Sequence, residues 1–312
     1  MFQIKLIRSG THIPFISIRR ITYALSGTLM ALSVILFFVH GLNFGIDFRG
    51  GILMEVRTPG PADLALMRKT MDDLELGDVS LQSFGAEDDV LIRIERQPGD
   101  AEAQEAAVAR VKVALDKVVG EGIGYRRVEV VGPKVSGELI WKGVMAVVLA
   151  VVAVLIYIWF RFEWQFGVGA VLALVHDVTL TIGLFSVTKL VFNLSIIAAI
   201  LTIIGYSLND TVVVYDRVRE NLRKYKKMPL PELLDNSINQ TLSRTTMTSF
   251  TTLLALFALF LFGGEVLRGF TAAMIWGIFV GTYSSIFIAA PLLLHLGVRP
   301  GTPQARAKKA KA

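Results

Sequence analysis

The 312-residue sequence contains no cysteine, which removes disulfides, thiolate nucleophiles and cysteine-ligated metal from consideration. Histidine is nearly as scarce. Its four copies, His12, His40, His176 and His295, are too scattered for a His-rich metal site. No GxxxxGK followed by Ser or Thr occurs, so a phosphate-cradling nucleotide loop is excluded. Charge is thin as well: 19% of residues are Asp, Glu, Lys or Arg, against about 25% in soluble domains. What the chain has instead is apolar residues, 53% of the total, a composition that rules out disorder and collagen.

The apolar residues gather into six runs, approximately 21–40, 140–160, 165–187, 194–215, 242–263 and 270–296. A bilayer core needs roughly 20 such residues in a helix, so the expectation is an α-helical polytopic membrane protein with six spans. The fifth run is the shortest, and its Thr/Ser-rich start, 245–252, is tolerable because hydroxyls bond back to helix carbonyls. The first run follows Lys5, Arg8, Arg19 and Arg20 but lacks a small-residue cleavage site, which reads as an uncleaved anchor.

The net charge of +6 invites a nucleic-acid reading, but the placement of the charges removes it. With the N-terminus inside, cytoplasmic stretches (1–20, 216–241 and a basic tail 297–312 among them) carry 17 Lys and Arg when Arg244, at the start of the fifth run, is counted with them; the two short outside loops carry Lys189 and Arg268. That asymmetry orients both termini to the cytoplasm of the inner membrane and leaves 41–137 periplasmic. Nucleic acid is therefore not an expected partner.

Residues 41–137 change character, with 12 basic and 17 acidic residues and short alternating runs. Turn residues divide them into a strand over 45–57, a helix over 61–74, strands over 79–84 and 90–96, a helix over 100–119 and a strand over 125–131. This β-α-β-β-α-β order predicts an inserted α+β domain of ferredoxin-like form. Leu64, Met67, Met71 and Leu74, then Val108, Val111, Leu115 and Val118, supply the helix faces that would lie on its sheet. Asp88 and Asp89 lack a partnering His and read as a turn, so the domain is expected to contact a polypeptide or another subunit rather than to catalyse.

Ionisable residues inside the spans each cost about 2.5–3.5 kcal/mol on insertion scales and need an account. His176 and Asp177 fall near the middle of the third span; Asp210 lies in the fourth, where Tyr206, Ser207 and Asp210 share a face beside Asn209. In the fifth, Arg244, Thr248, Thr251 and Thr252 set a cation above a hydroxyl stripe. Antiparallel packing would bring Asp210 and Arg244 to one depth, where low dielectric favours the protonated carboxyl and the cation the ionised one. Two readings follow: a proton-loading pair, with Ser207, Asn209, Thr248, His176 and Asp177 around it, or a static ion pair that fixes packing. Gly277 and Gly281 form a GxxxG, the mark of a close helix contact.

Five stretches carry a resemblance over nearly the whole length: NFGIDFRGG at 43–51, VGPKVS at 131–136, IIGYSLNDTVVVYDRVREN at 203–221, QTLSRT at 240–245 and GTYSS at 281–285. Together they resemble the SecD/SecF family of bacterial protein-export membrane proteins, in its smaller, SecF-type branch. The resemblance implies an RND-like half bundle that pairs with SecD in a twelve-helix unit. Implied partners are the SecYEG channel, other Sec accessory membrane proteins and preprotein substrates. It implies no bound cofactor and no catalysed covalent reaction, but energy from a proton (or sodium) gradient, with Asp210 and Arg244 on the ion path. Two other functions share the helix plan: half of an RND-type proton-driven exporter, and a purely structural assembly subunit.

Overall fold

The computed structural model describes residues 11–120 and 122–298, save the side chains of Pro133 and Glu265. A short 3-10 turn, Phe15–Ile18, leads into α1 (Arg19–His40). The α/β domain follows as α2 (Ile46–Arg49), β1 (Gly51–Arg57), α3 (Leu64–Asp72), β2 (Val79–Phe84), β3 (Ala86–Ile94), α4 (Ala101–Val119) and β4 (Gly124–Val131). The remaining helices are α5 (Pro133–Arg161), α6 (Trp164–Thr188), α7 (Leu194–Lys224), α8 (Leu230–Phe262), α9 (Glu265–Ser284) and, after a π-turn at Ser285–Ala289, α10 (Ala290–His295). Six helical segments, the last of them α9 to α10, are long and apolar enough to cross a membrane. The chain is a multi-pass membrane protein, and its exposed Leu, Val, Phe and Trp on α1 and α5 are the lipid-facing surface that such a protein presents.

The four strands form one antiparallel sheet in the order β2-β3-β1-β4, which is the expected ferredoxin-like arrangement. Period-2 burial makes Ile52, Met54 and Val56 one layer, joined by Val90, Ile92 and Ile94. Met67 and Met71 of α3 and Val111 and Leu115 of α4 cover that layer. Asp63 and Asp100 cap the two helices, each accepting from two backbone N–H groups of the first turn.

The strand expected over 45–57 begins late. Ile46–Arg49 is helical instead, because this stretch joins the domain to the bundle. Asp47 Oδ2 accepts from the Leu194 N–H (2.8 Å), Asn43 donates to the Lys189 carbonyl (2.8 Å), and Phe44 bridges to Phe192. Gly50 and Gly51 then turn the chain into β1 at φ +74° and +120°. A Cβ at Gly51 would sit 2.5 Å from the Ile94 carbonyl oxygen, so no other residue fits that crossing.

Asp88 and Asp89 are not a turn; the turn is at Gly85, and both lie in β3. Arg57 clamps Asp89 through Nε (2.8 Å) and Nη2 (2.6 Å), and Arg126 adds a third contact at 3.1 Å. The Arg57 hydrogen bond, supported by the charge of Arg126, holds the Asp89 carboxyl below its usual range against the opposing effect of burial. A depressed folded value contributes stability that is full above the ordinary carboxyl pKa of 3.8 and is lost as pH falls through the folded value. Amide exchange in β1, β3 and β4 of the full chain is therefore expected to lose protection only below that range. In Asp89→Asn protection should already be reduced at neutral pH and should respond less to acid; an unchanged profile would contradict the clamp.

The stretch 216–241, expected as a loop between spans, is helical except around Tyr225–Pro229. Here α7 and α8 continue past their apolar runs as amphipathic helices. Val218, Leu233, Leu234 and Ile238 pack with Phe162, Tyr215 and Phe15 into a core at the end of the bundle away from the α/β domain. The N-terminal turn is tied to the same place: the Ile16 N–H donates to Asp235 Oδ1 at 2.9 Å. Of the expected tail, 299–312 lies outside the described residues, as do residues 1–10.

Candidate functional site

Four helices converge on the middle of the span. α7 and α9 cross closely because α9 presents Gly277 and Gly281 to Ile203 and Ser207 of α7; a Cβ at Gly277 would meet Ile203 at 2.3 Å, and one at Gly281 would meet Ser207 at 3.0 Å. One turn further on, the chain of α9 widens into the π-turn Ser285–Ala289, a local irregularity that frequently sits at working sites. The close crossing and the widened turn together place Ser284 and Ser285 between two buried carboxylates.

Asp177 of α6 is 0% exposed. It accepts from Ser207 of α7 (2.5 Å) and from Ser284 (2.8 Å), and it faces Nδ1 of its neighbour His176 at 2.9 Å. Asp210 of α7, 5% exposed, accepts from Thr245 of α8 (2.7 Å) and Ser285 (2.8 Å). Hydrogen bonds to a charged group contribute about 1.5–3 kcal/mol each, which offsets the cost of holding these carboxylates in an apolar bundle. Beside them Tyr206 donates to Ser249 (3.1 Å), and Ser249 shares a hydrogen bond with Thr282 (2.7 Å).

Both serines have a second acceptor within reach. Ser284 Oγ lies 3.1 Å from the Gly281 carbonyl, and Ser285 Oγ lies 3.0 Å from that of Thr282. A hydroxyl has one hydrogen and can also accept. It donates to an ionised carboxylate; facing a protonated carboxyl, it accepts that proton's hydrogen bond and turns its own hydrogen to the carbonyl. Thr245 and Ser207 can remain donors throughout. Each aspartate can thereby keep hydrogen bonds in either protonation state.

The expected residues divide. Tyr206, Ser207 and Asp210 do share the buried side of α7, but Ser207 serves Asp177 rather than Asp210. Arg244 makes no ion pair with Asp210 among the described residues; it is exposed on α8, and its neighbour Thr245 is the direct contact. Asn209 and Thr248 are exposed too, and Thr248 bonds to its own helix at Arg244 and Thr245. The buried stripe of α8 is Ser237, Thr241, Thr245 and Ser249, one position round from the stripe read from Arg244. Thr245 reads in the sequence as one of the helix-tolerated hydroxyls of 245–252, although its spacing in fours from Ser237 is a usable signal; Ser285 stands in the sequence only as part of GTYSS.

Residues 111–299 match the family described as protein export membrane protein SecD/SecF, C-terminal, and residues 35–58 match the SecD/SecF GG motif. The chain belongs to the SecD/SecF family. Relatives within it include the protein translocase subunit SecF of Rhodobacter capsulatus, 47% identical over 95% of this chain and 92% of that one. The SecF of Magnetococcus marinus is 50% identical over 91% of this chain and 92% of its own length. Among solved structures, SecDF, a translocon-associated membrane protein from Thermus thermophilus, is 36% identical with a TM-score of 0.80 over 95% of this chain. A super-membrane-facing form of SecDF gives 34% and 0.69 over 98%. This SecD/SecF-family chain spans 39% and 41% of the two SecDF chains it matches.

Proposed function

We propose that this chain is an accessory, non-enzymatic subunit of bacterial protein export that harvests the proton-motive force at Asp210. The observation that carries the reading is a buried carboxylate whose hydrogen-bond partners suit both of its protonation states, at the position the family resemblance assigns to the ion path. Arg244 lies on the exposed side of α8, next to Thr245, the residue that donates to Asp210. The SecDF chains are more than twice as long, which is room for a SecD-type partner that completes a twelve-helix unit. SecYEG, other Sec accessory membrane proteins and preproteins are the further partners of this reading.

The charge asymmetry supports an inner-membrane topology with both termini cytoplasmic and residues 41–137 periplasmic. One charge crossing 100 mV releases about 2.3 kcal/mol, a bias of about fifty-fold on a two-state motion of the outer domain. Protons are the coupling ion in this reading, because the site offers hydroxyls and carboxylates that exchange hydrogen bonds. Depletion of the chain is expected to delay signal-peptide processing of several unrelated precursors in a pulse-chase; normal kinetics for all of them would overturn the reading.

A further inference from the structure

We propose that Asp177, held by His176, is a second proton-binding carboxyl of the bundle, and that its occupancy is linked to that of Asp210 through the adjacent hydroxyls of Ser284 and Ser285. The inference rests on the reading of Asp210 above and extends it from one exchangeable site to two.

The two aspartates are built alike. Each has one donor from a neighbouring helix, Ser207 for Asp177 and Thr245 for Asp210, and one serine from the end of α9 that can turn to a backbone carbonyl. Asp177 has His176 beside it as well: His176 is 1% exposed, stacks on Tyr283 at 6.0 Å, and its Nε2 is buried with no hydrogen-bond partner among the described residues. An open ring nitrogen in a sealed cluster costs free energy unless something occupies it. A water at Nε2 would remove that cost, and it would give a proton a route to the His176–Asp177 pair.

Linkage follows from position. Ser284 and Ser285 are consecutive, and each serves a different carboxylate; their alternative acceptors, the carbonyls of Gly281 and Thr282, are consecutive too. Two buried negative charges on opposite sides of one helical turn repel, so the first proton to arrive changes the affinity for the second. The balance is simple: each carboxylate gains one proton and loses one negative charge, and no other bond forms or breaks. The helices packed around α6 place few other ionisable groups at this level. Tyr283 stands on α9 and Asp210 on α7, with Arg244 beyond Asp210 on α8; Tyr23 of α1 and Tyr215 of α7 lie toward the end away from the α/β domain. α5 is wholly apolar from 143 to 156.

The test is acid-induced infrared difference spectroscopy of the full chain in lipid vesicles, with isotope-labelled aspartate to isolate the carboxyl bands. The wild-type protein should show two bands of protonated carboxyls in apolar surroundings, rising in separate steps. Asp177→Asn should remove one and Asp210→Asn the other, the remaining band then rising at a shifted pH because its partner charge is gone; an unshifted midpoint overturns the linkage. Ser284→Ala, which keeps both acids, should shift the frequency of the band that Asp177→Asn removes. Asp177→Asn or Ser284→Ala with a spectrum identical to wild type overturns the proposal; if the Asp210 band persists in those spectra, the one-site reading stands. Absence of a band that Asp210→Asn removes would sink that reading as well.

Discussion

Asp210→Asn is expected to slow precursor processing by up to about fifty-fold, the bias that one charge gains from 100 mV, with the protein present at its normal level in the membrane. Asparagine keeps the size of the side chain and can still accept from Thr245 and Ser285 through its carbonyl oxygen. The bundle should therefore assemble. What is lost is the exchangeable proton and the negative charge of the ionised form. A purely structural role for Asp210 predicts the opposite outcome, since a neutral isostere in an apolar bundle costs less to bury than a carboxylate. Pulse-chase labelling with a blot for membrane level separates the two: accumulated precursor at normal level agrees with proton coupling, and normal processing does not.

Gly277→Val should damage assembly instead. The first added carbon would lie 2.3 Å from both Cδ1 and Cγ1 of Ile203, whose side chain is 1% exposed and has no room to turn away. Overpacking of this kind typically costs about 1–3 kcal/mol and here acts on the crossing of α7 and α9. Because Gly281 meets Ser207 one turn along the same crossing, separating the helices would also draw Ser284 and Ser285 off their aspartates. The expected result is a melting midpoint in detergent lowered by several degrees, with reduced membrane level and export falling in step. A variant that melts like wild type would show that the crossing is looser than the geometry requires. Asp210→Asn and Gly277→Val thus differ in kind: the first removes function at constant level, the second removes both together.

The spans were legible because a helix in lipid must be apolar all round, and such runs stand out from any other pattern. The α/β domain was legible for a different reason: Pro61, Gly77, Gly85 and Gly120 punctuate it, and two apolar helix faces match one alternating sheet face. Asp210 and Asp177 were visible through their rarity among apolar neighbours. Their partners were not. Adjacent helix positions differ by about 100°, so reading the fifth span from Arg244 rather than Thr245 turned the wrong stripe toward α7. The pairing of Ser285 with Asp210 depends on a π-turn, whose wider turn no 3.6-residue reading anticipates. The helical ends at 216–224 and 230–241 escaped because they are amphipathic, and a search for continuous apolar runs stops where polar residues begin. Ile46–Arg49 escaped because its form depends on contacts with Phe192 and Leu194, far along the chain.

In the proposed function an ion gradient acts on export through Asp210. It is tested most directly in inverted inner-membrane vesicles carrying either the wild-type chain or Asp210→Asn with its SecD-type partner, by following ATP-started translocation with and without an imposed proton-motive force. The predicted result is stimulation by the gradient in wild-type vesicles and little in Asp210→Asn, at equal rates without the gradient. Equal stimulation in both would contradict the account and leave the carboxylate as a packing residue.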